Sequence, residues 1–89
     1  MTIRVGLIGC GGIMHPHVEG WKAVSDRAEI VALADVSPEA LAQRKAQVGR
    51  EVKAYTDYLD LLADPNVDAV DIALPHHLHR GAIVAAANA

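Results

Sequence analysis

A glycine-rich segment near the start of the chain contains the residues best suited to bind a ligand. It follows a short apolar run and consists of Gly9-Cys10-Gly11-Gly12-Ile13-Met14. Where such a turn leads into a helix, the first N–H groups of the helix lack partners and the helix dipole favours negative charge, so a phosphate can bind there. In the G-x-G-x-x-G pattern, Gly9 would form the tight turn and Gly11 would let the backbone approach the phosphates, but Met14 occupies the third glycine position.

We predict that this turn binds a pyrophosphate through Gly9, Gly11, Gly12, Ile13 and Met14. The alternative is a tight strand-to-helix turn that binds nothing. Cys10, within the turn, has no evident catalytic arrangement of histidine and acid around it, so we interpret it as a small filler residue.

A carboxylate lies at the offset that a dinucleotide site requires. Asp35 ends the second apolar run, close to the roughly 20 residues past the glycines at which an acid accepts hydrogen bonds from the adenosine ribose. A solvated aspartate that opens the turn into Ser37-Pro38 is the alternative. A carboxylate there repels a 2′-phosphate, so NAD is favoured and NADP is the second choice, and Arg4 and Arg44 are wrongly placed to reverse that preference.

The five histidines form two clusters, which follow the first and the last predicted strand. The clusters are His15 with His17, and His76 with His77 and His79. In a doubly wound sheet these two strands are neighbours, so the histidines could flank the crevice that binds ligands. Solvated loop residues and a zinc site are the alternatives, but no carboxylate or thiolate at diagnostic spacing supports a metal, and we predict none.

The composition bounds the remaining possibilities. A chain of 89 residues, 52% hydrophobic, forms at most one modest domain. The net charge of −3 and the lack of basic runs argue against a nucleic-acid partner. One cysteine permits no internal disulfide, and no segment is long and apolar enough to be a signal or to cross a membrane. We expect a soluble cytoplasmic protein that can form a homo-oligomer.

Alternating strand and helix signals run along the whole chain. Strands are predicted at residues 3–8, 29–34 and 51–55 and within 67–74. Helices are predicted at 13–24, from Pro38 to Gly49 with Ser37 as N-cap, from a Thr56 cap to the stop at residues 64–66, and at 79–89. This order predicts an α/β fold, a doubly wound parallel sheet of about four strands with helices on both faces.

The last strand and helix suggest that the polypeptide continues. In the strand order 3-2-1-4-5-6, the fourth strand would be an exposed edge, yet it carries none of the lysines or prolines that protect natural edges. The final residues show no clear helix stop. We expect residues 1–89 to be the first part of a dinucleotide-binding domain that lacks a fifth strand.

Together these residues resemble the N-terminal domain of the Gfo/Idh/MocA oxidoreductase family, a Rossmann-type domain. The resemblance covers essentially the whole chain. It rests on residues 4–13, His17, Ala34-Asp35, Tyr55-Thr56-Asp57-Tyr58, residues 67–73, Pro75 and His79. The chain departs from the family at Met14, where a small residue is usual, and at Leu74 and His76, where threonine and asparagine are common.

The resemblance implies hydride transfer between a nicotinamide and a secondary hydroxyl of a sugar, cyclitol or related polyol. It also implies that Leu74, Pro75, His76 and His79 lie along the dinucleotide. The family's catalytic Glu-Lys-Pro segment and its C-terminal substrate domain are absent from these residues, so no catalytic residue is assigned. The alternatives are a nucleotide-binding or structural domain without turnover, and a histidine-based metal module.

Overall fold

The computed structural model describes residues 2–74 together with Gly81 and Val84. Seven elements alternate along this part of the chain. They are β1 (Ile3–Ile8), α1 (Met14–Ala23), β2 (Ala28–Ala34), α2 (Pro38–Val48), β3 (Lys53–Tyr55), α3 (Tyr58–Leu62) and β4 (Ala69–Ile72). The predicted fourth helix, and with it Pro75, His76, His77 and His79, lies outside the described residues apart from Gly81 and Val84.

The four strands form one parallel sheet in the order β3-β2-β1-β4, which confirms the predicted doubly wound arrangement. The register aligns the strand ends, because Ile8 pairs with Ala34 on one side and with Ile72 on the other. The residues that follow these three strands therefore leave the sheet at the same edge. That edge carries the glycine turn after β1 and Asp35 after β2.

Apolar side chains cover both faces of the sheet. One cluster, which includes Leu7 and Leu33, packs with buried residues of α1 and α2. The other, which includes Ile8 and Ala34, packs against Leu61 of α3. Gly6 faces this second layer, where a Cβ atom would lie 2.7 Å from a methyl group of Leu61. Helices on both faces are thus confirmed.

The register of β1 and β2 contains an irregularity that the sequence did not indicate. Val5 pairs with Ile30 and Gly6 pairs with Ala32, so Val31 is the extra residue. An extra residue shifts the alternation of a strand, and side chains before and after it can then face the same side. This is why Ile30 and Leu33, three residues apart, belong to the same core cluster.

The second helix is capped as its sequence predicts. The Ser37 hydroxyl accepts a hydrogen bond from the Ala40 N–H at 3.2 Å, and Pro38 occupies the first turn. Gly49 ends the helix with φ of +77°, a left-handed conformation that glycine adopts without steric cost.

The predicted Thr56 cap of the third helix is wrong. Asp57 is the N-cap, and its carboxylate accepts the Leu59 N–H at 2.9 Å. Aspartate and threonine are both good caps, and neighbouring capping residues make the position of a helix start ambiguous by one residue.

Candidate functional site

The glycine turn presents three consecutive N–H groups without acceptors among the described residues. They belong to Gly11, Gly12 and Ile13, whereas the next two N–H groups donate within the turn, from Met14 to Gly11 and from His15 to Gly12. The N-cap of α1 supplies no side-chain hydrogen bond, and its first turn contains no acid. Unpaired donors at the positive end of a helix are a binding site for an anion.

The two glycines of the G-x-G pattern have different structural roles. Gly9 has φ of +91°, and a Cβ atom there would overlap the carbonyl oxygen of Ala73, which follows β4. Gly9 is therefore needed for the turn itself. A Cβ atom on Gly11 or Gly12 would meet nothing within 4 Å, so these residues face open space.

Asp35 points toward the glycine turn and connects it to the end of β2. One carboxylate oxygen accepts the Cys10 N–H at 2.7 Å, and the other accepts the Ser37 N–H at 2.8 Å. Each oxygen of an ionised carboxylate has about two acceptor positions, so both can accept another hydrogen bond from a ligand. The turn and the acid thus form one connected unit, as their spacing in the sequence suggests.

A cavity of about 590 Å³ opens beside this unit. Of the predicted site residues, Gly9, Gly11, Ile13, Asp35 and Leu74 line it. The lining also contains residues that sequence reasoning missed, namely Val36, Thr56, Tyr58 and Ala73. Val36 directly follows Asp35, and Thr56 and Tyr58 follow β3, so the common edge of a parallel sheet was the signal that could have found them.

Met14 and Gly12 do not line the cavity. The Met14 side chain is 0% exposed and packs in the core beneath the turn, together with Cys10 and Val18. A third glycine in this pattern permits close packing of helix and strand. Here the methionine fills that space instead, and its side chain leaves the cavity open.

The Cys10 thiol is buried and directed to the core, where its Sγ lies 3.6 Å from the Ala34 carbonyl oxygen. Burial, with a smaller contribution from the charge of Asp35, raises the pKa of this thiol to about 12. The thiolate is the reactive form of cysteine, so Cys10 is unsuited to act as a nucleophile. This supports its interpretation as a filler residue.

The first histidine cluster does not line the cavity. His15 is exposed, and His17 contacts Asp71 of β4 with Nδ1 2.8 Å from a carboxylate oxygen. Trp21 donates its indole N–H to the same oxygen at 2.9 Å. His17 and Trp21 therefore connect α1 to β4 through Asp71. Within the described residues, no group of three metal-ligating side chains occurs.

Comparisons with known proteins match nearly the whole length of the chain. The model of the Gfo/Idh/MocA family, described as an oxidoreductase family with an NAD-binding Rossmann fold, matches residues 3–89. A myo-inositol 2-dehydrogenase of Thermotoga maritima is 39% identical over 87 residues, which are 98% of this chain and 25% of that protein.

Solved structures agree with the sequence matches. Myo-inositol dehydrogenase from Lactobacillus casei, in complex with NAD(H) and myo-inositol, superposes with a TM-score of 0.92 at 30% identity over 100% of this chain and 26% of its own. The WlbA dehydrogenase from Bordetella pertussis, with NADH and UDP-GlcNAcA, gives a TM-score of 0.89 at 36% identity over 99% and 26%. The chain thus spans about a quarter of the length of these relatives.

No helix in the described part of the chain is long and apolar enough to cross a membrane.

Proposed function

Because this chain belongs to the Gfo/Idh/MocA oxidoreductase family, we propose that its glycine turn and Asp35 bind NAD(H). The observation that carries the proposal is the pair of hydrogen bonds through which Asp35 joins Cys10 of the turn to Ser37. They hold the carboxylate beside the turn, and two of the residues with unpaired N–H groups, Gly11 and Ile13, line the same cavity as Asp35. The carboxylate suits the hydroxyls of a ribose, and the N–H groups suit a diphosphate.

Each part of the site has a role in this proposal. The N–H groups of Gly11, Gly12 and Ile13 bind the diphosphate, and Asp35 accepts hydrogen bonds from the adenosine ribose. The exposed apolar side chains of Ile13 and Val36, 68% and 85% accessible, line the cavity and would cover the adenine. Leu74 lies along the dinucleotide, and Pro75, His76 and His79 are proposed to extend the same wall. Met14 supports the turn from the core.

We propose that these residues form the cofactor-binding part of a dehydrogenase that oxidises a secondary hydroxyl of a cyclitol or sugar. NAD supplies the hydride acceptor in that reaction. Inositols and a UDP-sugar in the relatives' names support this substrate class. Asp35 is the only carboxylate among the described residues that line the cavity, and the proposal assigns it to the ribose, so we expect the 89-residue chain to bind NAD without turnover.

The direct test is titration of the 89-residue chain with NAD, followed by calorimetry and by amide chemical shifts. We expect saturable binding, with the largest shift changes at Gly11, Gly12, Ile13 and Val36. Binding without shift changes at the turn would contradict the proposal, as would changes centred on the smaller cavity around Trp21 and Arg50. NADH formation in the presence of myo-inositol would contradict the expected lack of turnover.

A further inference from the structure

The core face of α2 contains a charged residue. The buried residues of this helix are Leu41, Arg44 and Val48, which recur at the spacing of one helical face. Leu41 and Val48 belong to the core cluster that includes Cys10 and Met14. Arg44 is only 8% exposed, although arginine is rarely buried to this extent unless it is paired.

The guanidinium of Arg44 has no counter-ion among the described residues. One terminal nitrogen, Nη1, donates to the side-chain oxygen of Gln47 at 2.9 Å, but that amide is neutral. The Nε atom is buried and has no hydrogen-bond partner. None of the ion pairs among the described residues includes Arg44. A buried cation without an anion is costly, so this position favours the arrival of negative charge.

The contacts of Arg44 lead to the beginning of α1. Gln47 accepts from Arg44 and donates its amide N–H to the carbonyl oxygen of His15, in the first turn of α1, at 2.9 Å. The charge of Arg44 also acts on Cys10, where it partly opposes the larger effect of burial, which raises the pKa of that thiol. Arg44 is thus connected through Gln47 to the first turn of α1, directly after the glycine turn.

We propose that Arg44 is a positioning residue for the diphosphate of the bound dinucleotide, acting through the electric field of its charge. The inference rests on the proposed function, because the anion that it requires is the one bound by the turn. Arg44 does not touch the ligand in this proposal. Its charge adds to the positive end of α1, and the low dielectric of the core makes it less sensitive to salt than a surface lysine would be.

The experiment compares two ligands that differ in their phosphates. Binding of ADP-ribose and of adenosine to the 89-residue chain is measured by calorimetry and amide shifts. The variants are Arg44→Met, which removes the charge but keeps an apolar side chain of similar length, and Arg44→Lys, which keeps the charge. Arg44→Gln, a polar neutral residue, is measured beside them in case the methionine variant does not fold.

Lys45→Met is the matched control. It makes the same change of charge at the next position of α2, where the side chain is 47% exposed and 3.8 Å from Glu51. Surface charges of this kind are screened and contribute little.

We expect Arg44→Met and Arg44→Gln to weaken ADP-ribose binding about tenfold and to leave adenosine binding unchanged, because only one ligand carries a diphosphate. Arg44→Lys should retain most of the affinity, and Lys45→Met should retain all of it. Equal losses for both ligands, or an equal loss in Lys45→Met, would overturn the role of Arg44. If the unmodified chain binds neither ADP-ribose nor NAD, the proposed function itself fails.

Discussion

At the scale of single residues, Asp35 has two functions that one substitution would remove together. Its oxygens hold the N–H groups of Cys10 and Ser37, and the same carboxylate faces the cavity. A cofactor preference assigned to this residue is therefore coupled to the position of the turn. This coupling could not be deduced from the spacing of the glycines and the acid alone.

Asp35→Ala is expected to weaken NAD binding by about 10- to 100-fold, the effect of losing hydrogen bonds to a charged group. NADP binding should fall less, because the variant also removes repulsion of the 2′-phosphate. Calorimetric titration with both cofactors measures the difference. Asp26→Ala, which changes an exposed aspartate before β2, is the control. Equal losses for NAD and NADP would refute the ribose role.

Cys10 offers a second test at this scale, through its reactivity. Since burial raises the pKa of the thiol to about 12, its thiolate fraction at pH 8 is on the order of 10⁻⁴. We expect alkylation of the folded chain at pH 8 to be at least about 100-fold slower than in urea, as followed by mass spectrometry. Equal rates in the two conditions would show that the thiol is accessible.

The same shift of the Cys10 pKa has a consequence for stability. The unfolded thiol ionises near pH 9 and the folded one only near 12. The stability that this thiol contributes is therefore fully present below about pH 9 and declines as the pH rises toward 12. Cys10→Ala should reduce this alkaline decline.

At the scale of elements, the strand–turn–helix unit separates the glycine that the turn itself requires, Gly9, from a glycine that faces the open cavity, Gly11. Gly9→Ala forces a side chain into a left-handed conformation and against the Ala73 carbonyl. We expect a loss of roughly 2–4 kcal/mol in the free energy of unfolding. Gly11→Ala meets open space and should leave stability within about 0.5 kcal/mol.

The Gly11→Ala variant should differ from the unmodified chain in its NAD affinity rather than in its stability. Gly11→Ala places a methyl group where the backbone must approach the phosphates, so NAD affinity should fall at least about tenfold in a folded protein. Urea denaturation and NAD titration of both variants provide the two measurements. A stable Gly9→Ala variant, or a Gly11→Ala variant with unchanged affinity, would show that the roles are assigned incorrectly.

At the scale of the whole molecule, local signals located most of the strands and helices, and their alternation predicted a doubly wound sheet. The apolar runs marked β1 and β2, and Ser37, Pro38 and Gly49 marked both ends of α2, because capping depends on residues close in sequence. The position of Asp35 next to the glycine turn could be predicted because the order of a doubly wound sheet places β1 beside β2.

Features that depend on distant residues could not be predicted in this way. The contact of His17 and Trp21 with Asp71 spans at least 50 residues, and no periodicity encodes it. The core position of Met14 was missed because a bulky residue in a glycine pattern suggests obstruction of the turn, whereas space was available beneath it. For the same reason Met14→Gly, which by the glycine pattern alone should leave cofactor binding intact or improve it, would leave a cavity in the core.

Because the chain is small, ligand binding should produce a large increase in its Tm. A ligand that binds only the folded state at about 100 times its Kd stabilises that state by about 2.7 kcal/mol. For a domain of this size, each kcal/mol raises the Tm by roughly 4–8 °C, so saturating NAD should raise it by about 10–20 °C.

Adenosine should give a smaller shift, since it leaves the N–H groups of Gly11, Gly12 and Ile13 without an acceptor. Differential scanning calorimetry at several NAD concentrations measures both effects, and Gly11→Ala is the matched variant that keeps the fold and weakens the site. An NAD-independent Tm, or shifts of equal size in the Gly11→Ala variant, would mean that the turn does not bind the diphosphate.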